Sequence, residues 1–235
     1  MNKRHFYTTV LLGLAVFTLA FTTTAKTVHR LPPAPAQIHL IDEKFPEWQY
    51  TAIRDGNNII LEVNLSDTTI AGLEAFRDAN RRLAQELMQQ QKTLTANVVL
   101  KVPISVEGLA DLVDAYGLQV ISVEMRIIDG YGDRVTLVTG PEGQNLTSQD
   151  FVHSTTSWVQ EQTGSAKLSG VVSLQVVLQT DSYDLVLRDP SVFMVDVTHE
   201  YAEYHFHLQH ASLIQANDAI SAIGSSGYWY VEDNQ

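Results

Sequence analysis

Apolar positions along the chain fall into two periods, and the alternation between them marks the elements. A valine-rich strand–helix–strand pattern occurs twice. The first copy runs Ala96 to Ile127 and the second Gly170 to Thr198. In the first, Val98 to Val102 reads as a buried strand. Ser105 then caps a helix whose Val106, Leu109, Leu112, Val113 and Tyr116 share one face, with Glu107 at the positive end of its dipole. Gly117 ends that helix, and Leu118 to Ile127 alternates as a returning strand. The second copy repeats the order. Val171 to Leu178 is a strand, Thr180 a candidate cap, Tyr183, Val186 and Leu187 a helix face, Asp189-Pro190 a stop, and Val192 to Val197 the return. Two such units combine naturally into one antiparallel sheet with both helices on one face, the α+β ferredoxin-like βαββαβ plan over residues 96–211. A small three-layer α/β arrangement is the alternative.

Other segments flank and interrupt this body. Asn58 to Leu65 alternates as a strand. Ser66-Asp67 offers an N-cap to a long amphipathic helix over Thr68 to Leu94, with an apolar stripe of Ile70, Leu73, Phe76, Leu83, Leu87 and Leu94 that Asn80 interrupts. The stripe packs the helix on the body or forms a dimer seam. An insertion, residues 128–169, holds a turn at Asp129 to Asp133, a strand from Arg134 to Thr139, and a helix carrying Phe151, Val152, Thr155, Trp158 and Val159 that Gly164 would end. Either specificity resides there, because inserted loops vary without disturbing a core, or Phe151 and Trp158 merely cover the open face of the sheet. Ser212 to Ile223 reads as a C-terminal helix, followed over residues 212–235 by the aromatic run Tyr228-Trp229-Tyr230.

The first 25 residues change the picture. Lys3 and Arg4 precede an uncharged run from Phe6 to Ala25, the layout of a removable export signal or, if uncleaved, of a membrane anchor. Either places the remainder outside the cytoplasm, secreted or membrane-tethered. Residues 26–57 follow as a Pro-rich spacer, Leu31 to Ala36, and an aromatic segment with Phe45, Trp48 and Tyr50. The 235 residues carry a formal charge of -12, with no Lys/Arg stripe for a nucleic-acid backbone. There is no Cys, which excludes disulfides, thiolate-ligated metals and thiol nucleophiles.

Candidate chemistry is sparse. His199, Glu203, His205, His207 and His210 form a cluster with spacings suited to Zn²⁺ or Cu²⁺ on a helix or a strand, although no HExxH motif is present. Asp129, Asp133 and Glu142 miss the EF-hand spacing, and no phosphate-binding glycine fingerprint occurs. Phe45, Trp48, Phe151, Trp158, Tyr228, Trp229 and Tyr230 are the aromatic residues that either pack on the body or are offered to a partner. The leading expectation is a non-enzymatic, extracytoplasmic module for protein interaction or envelope assembly, meeting a protein partner or a second copy of itself. A small-ligand or metal-binding protein built on the histidine cluster is the rival, and a secreted hydrolase with an unrecognised site the third.

Overall fold

A computed structural model describes residues 37–40, 45–139, 149–224 and 231–233. Two sheets share one hydrophobic core. The larger has five strands in the order β6-β5-β7-β4-β8: β4 (Thr93–Ile104), β5 (Gln119–Asp129), β6 (Arg134–Thr139), β7 (Ala166–Gln179) and β8 (Val192–Asp196). All its pairings are antiparallel. The smaller runs β1-β2-β3-β9, from β1 (Gln37–Leu40), β2 (Trp48–Asp55), β3 (Asn58–Leu65) and β9 (Ala219–Gly224). Its last pairing, β3 with β9, is parallel.

The single-sheet ferredoxin-like plan is therefore overturned. The fold is α+β with two separate sheets. Both strand–helix–strand units lie in the five-stranded sheet, but residues 48–65 and 219–224 build a second sheet beside it. Period explains the miss at the C-terminal end. Ser212 to Ile223 has too short an apolar pattern to separate a helix from a strand. In the folded chain Ile220 and Ala222 are half-buried and alternate with the exposed Ser221 and Ile223, so the segment is the strand β9.

In the five-stranded sheet one face of each central strand is sealed. Leu94, Ala96 and Val98 of β4 oppose Leu178, Val176 and Leu174 of β7, all buried. Each such aliphatic side chain contributes about 1.5–3 kcal/mol on burial. The helix α2 (Val106–Tyr116) follows β4, capped by the Ser105 hydroxyl on Gly108 N–H at 3.1 Å and closed by Gly117 in the left-handed conformation. The shorter α4 (Tyr183–Leu187) follows β7, and Tyr116 donates from α2 to Asp189 beyond the end of α4 at 2.9 Å. Where β4 leaves β7 the ladder shifts register, and Gly170 there has φ 133°. A Cβ at Gly170 would lie 2.4 Å from the Ile104 carbonyl oxygen, so only glycine admits this approach.

The long helix is shorter than its apolar stripe predicts. It is α1, Ile70–Met88, with Thr69 as N-cap; Asp67 instead accepts the Thr69 N–H at 2.9 Å. Leu94 belongs to β4, and Ile70 is exposed. Asn80, the polar break in the stripe, is fully buried and has a task. Its side-chain oxygen accepts the Val197 N–H at 2.8 Å, while its amide donates to the Phe76 carbonyl at 3.3 Å. Val197 opens α5 (Thr198–Gln209), which has no side-chain cap from the N-cap residue itself. Asn80 and Asp196, which accepts the Thr198 N–H at 2.8 Å, satisfy two of the donors that a helix start leaves orphaned.

Helix α5 joins the sheets. Its Tyr201 meets Phe45 edge-on at 5.4 Å and Trp48 at 6.1 Å, and its Phe206 meets Tyr50 at 6.5 Å. On its other side α5 ties to the end of α1. Tyr201 donates to Glu86 at 3.2 Å, and Gln91 donates to Glu200 at 2.8 Å. Of the two roles offered above for Phe45 and Trp48, packing on the body is the one observed: both are wholly interior and glue the small sheet to α5.

Candidate functional site

Among the described residues three places gather chemistry-bearing side chains: the outer turns of α5, a groove beside the inserted helix, and an arginine pair on the β5–β6 hairpin.

On α5, a 100° step per residue puts His199, Glu203 and His207 on one side and His205 about 160° away from Glu203. The side with Glu203 faces β9. The Glu203 carboxylate accepts the Ala222 N–H at 2.7 Å, and the His199 ring lies so close that a Cβ on Gly224 would come within 2.9 Å of its Nε2. Burial pushes the Glu203 carboxyl above the usual carboxylate range. The Ala222 N–H and the neighbouring His199 and His207 pull the other way, and Glu200 adds to the rise. His205 stacks on the Tyr201 ring at 5.5 Å, and His210 lies over Phe206 at 5.1 Å. The Zn²⁺ or Cu²⁺ expectation is overturned. No group of three or more His, Asp or Glu side chains among the described residues is placed to hold a metal ion, and the chain has no Cys. The physical reason is that the carboxylate is committed to a backbone donor, while His205 and His210 serve as packing rings.

The groove lies between the start of α2 and α3 (Gln149–Thr163), floored by β7. It encloses about 450 Å³, with Ser105 and Glu107 on one wall, His153 and Thr156 on the other, and Leu168 and Gly170 beneath. Helix α3 is fixed against the sheet by buried Val159 and by the hairpin turn. Gly130 N–H donates to the Thr163 hydroxyl at 3.1 Å, and a Cβ on Gly130 would collide with the Thr163 carbonyl. Asp129 closes that turn, accepting the Tyr131 and Asp133 N–H groups at 2.8 Å each. Its own N–H and the Ser105 hydroxyl hold the Glu107 carboxyl below the usual range, so the groove mouth carries a stable negative charge. An anionic edge, imidazole and hydroxyl groups opposite, and an aliphatic floor together suit a polypeptide side chain with an apolar body and a polar or cationic tip. Trp158 is exposed, but about 140° round α3 from His153, and it does not line the groove. Phe151 belongs to α3 by its backbone, and its side chain lies outside the described residues.

The third place is the β5–β6 hairpin. Arg126 is 1 % exposed, a rare state for a guanidinium, and donates to the Thr136 hydroxyl on the facing strand. Its Nη2 lies 2.8 Å from a Glu232 carboxylate oxygen, and Arg134 Nη1 lies 3.1 Å from the same oxygen. Arg134 also pairs with Asp233. Residues 231–233 form one helical turn, and Val231 is buried in the common core. Sequence reasoning passed over both arginines, since neither belongs to a basic run. The one available signal was Arg126 alternating with Met125 and Ile127 in a strand otherwise rich in aliphatic residues. Tyr228, Trp229, Tyr230 and the leader at 1–25 lie outside the described residues. No helix among the described residues is long and apolar enough to cross a membrane.

Comparison of the chain with protein-family models, with curated proteins and with solved structures finds no match in any of the three.

Proposed function

We propose that this chain is an extracytoplasmic, non-enzymatic interaction module that presents the α2–α3 groove to a protein partner or to a second copy of itself. Export rests on the charge and hydropathy layout of residues 1–25, which either leave the chain secreted or hold it at the membrane. The observation that carries the interaction reading is the groove of about 450 Å³, because one of its walls is the inserted helix and the opposite wall is the Ser105–Glu107 cap. An insertion packed against a fixed helix start can change its outward residues while the sheet beneath stays as it is. The acidic balance of the whole chain and the Glu107 carboxylate favour a partner that offers a cationic side chain.

Two measurements test this. A reporter enzyme active only outside the cytoplasm, fused after residue 235, is expected to report activity that disappears when residues 1–25 are deleted. A photo-crosslinking residue at Thr156 is expected to yield discrete protein adducts in intact cells, whereas the same residue at Glu62, exposed on the outer face of β3, yields none. Equal adducts from both positions contradict the groove, and a silent reporter contradicts export.

A further inference from the structure

Arg126 holds a buried positive charge in the face of a sheet, and Glu232, beyond β9, sets a carboxylate oxygen 2.8 Å from its Nη2. A buried guanidinium is costly unless a carboxylate and further hydrogen bonds accompany it. Thr136, Arg134 and Arg126 therefore form a recess whose chemistry calls for a carboxylate. The molecule displays the ligand it accepts, an apolar residue followed by two acids, Val231-Glu232-Asp233. That segment is a single turn, separated from β9 by residues 225–230. The groove is lined by residues 105–107, 153, 156 and 168–170, which include neither arginine nor Thr136, so the two places draw on different side chains.

We infer that Arg126, Arg134 and Thr136 are a binding site for an acidic segment of a partner polypeptide, which residues 231–233 occupy in cis as a tethered competitor. The partner segment carries an apolar side chain followed by two carboxylates and displaces the chain's own turn. Two forked guanidinium groups supply the carboxylate recognition. This goes beyond the groove reading. It rests on other residues and fails independently of it.

The test uses the full chain and a labelled synthetic peptide, YWYVEDNQ, the sequence of residues 228–235. The double substitution Glu232→Gln with Asp233→Asn vacates the recess of charge while keeping side-chain size. That variant is expected to bind the peptide at least ~10-fold more tightly than the unsubstituted chain, since a short tether gives the cis segment an effective concentration in the millimolar range. Adding Arg134→Gln is expected to abolish that gain, as is a control peptide reading YWYVQNNQ, and the affinity of the first pair is expected to fall with salt. Equal affinity of the unsubstituted chain and the double variant, or binding indifferent to Arg134→Gln, overturns the inference. Should the double variant unfold, the peptide is titrated into the unsubstituted chain and the Val231 methyl resonances are followed. Movement toward a released position supports displacement; unmoved resonances at saturating peptide overturn it.

Discussion

The two sheets of this molecule hold together by different means. The five-stranded sheet is closed by aliphatic contact, with Leu174, Val176, Val98 and Ala96 opposed across its centre and helices laid on it. The smaller sheet buries one face, Trp48, Tyr50, Ala52, Ile59, Leu61 and Val63, and recruits its last strand from far along the chain. That strand, β9, is half-exposed along its length and is held mainly by polar bonds. Arg54 on β2 grips Asp218 just before it, with both guanidinium nitrogens at 2.8–2.9 Å, and Asp218 also accepts the Gln215 N–H. Glu203 on α5 occupies the Ala222 N–H, which would otherwise offer a free donor at a sheet edge. One sheet is thus stabilised by area removed from water and the other is completed by a few specific acceptors.

The largest expected effect lies in the aliphatic sheet. Leu174→Ala should lower unfolding free energy by about 3 kcal/mol through lost transfer energy and the cavity left behind. Ile220→Ala in the half-buried β9 should cost about 1 kcal/mol. Urea titrations followed by far-UV circular dichroism measure both, and equal losses would erase the distinction between the sheets. Next comes Asn80→Ala at the joint between α1, β8 and α5. It leaves the buried Val197 N–H without its acceptor, and about 2 kcal/mol of destabilisation is expected. Asn80→Asp, which keeps an acceptor but brings a buried charge, should not restore the original stability.

A smaller effect separates the two acids that hold β9, and it has opposite signs. The Glu203 carboxyl titrates above its ordinary value when folded, chiefly through burial. Between that ordinary value and the raised one the folded chain binds the proton more tightly than the unfolded chain. Its contribution to stability is therefore fullest below this window and declines as pH rises through it. Asp218, held below its ordinary value first by the Arg54 hydrogen bond and then by the Gln215 N–H, contributes above that value and loses its contribution as pH falls through the folded one. Glu203→Gln should flatten the stability-against-pH curve on the near-neutral side of the carboxylate range, while Asp218→Asn should flatten it on the acid side. Interchanged responses would mean that the two acids have been assigned the wrong environments. Smallest of all, Trp158→Ala on the exposed side of α3 should shift unfolding by no more than about 0.5 kcal/mol.

The same contrast governs what the residues disclose before folding. The limits of α2 were legible because Ser105, Glu107 and Gly117 are local signals that act on their own backbone. The turn at Asp129 and the stop at Gly164 were legible for the same reason. The second sheet was not. Nothing near Asp218 announces Arg54, which is 164 residues away, and the apolar spacing of Ser212 to Ile223 fits a helix as well as a strand. The histidine cluster misled because spacing alone ignores what α5 packs against. Glu203 is spent on β9, and the rings of His205 and His210 lie on Tyr201 and Phe206. Asn80 looked like a defect in an apolar stripe and is instead the acceptor that starts α5. Polar residues that serve a distant backbone leave no periodicity to read.

The parallel pairing of β9 with β3 is the feature on which the two-sheet body depends, and the absence of native cysteine makes it directly measurable. Ile60 and Ser221 are register partners across that pair. Ile60→Cys with Ser221→Cys should oxidise to a single intramolecular disulfide in the native state, within the span such a bond requires. Glu62→Cys with Ser221→Cys, two residues out of register, should cross-link far less. A disulfide in the first pair alone is the expected result; no cross-link in it, or equal yields from both pairs, would contradict the second sheet.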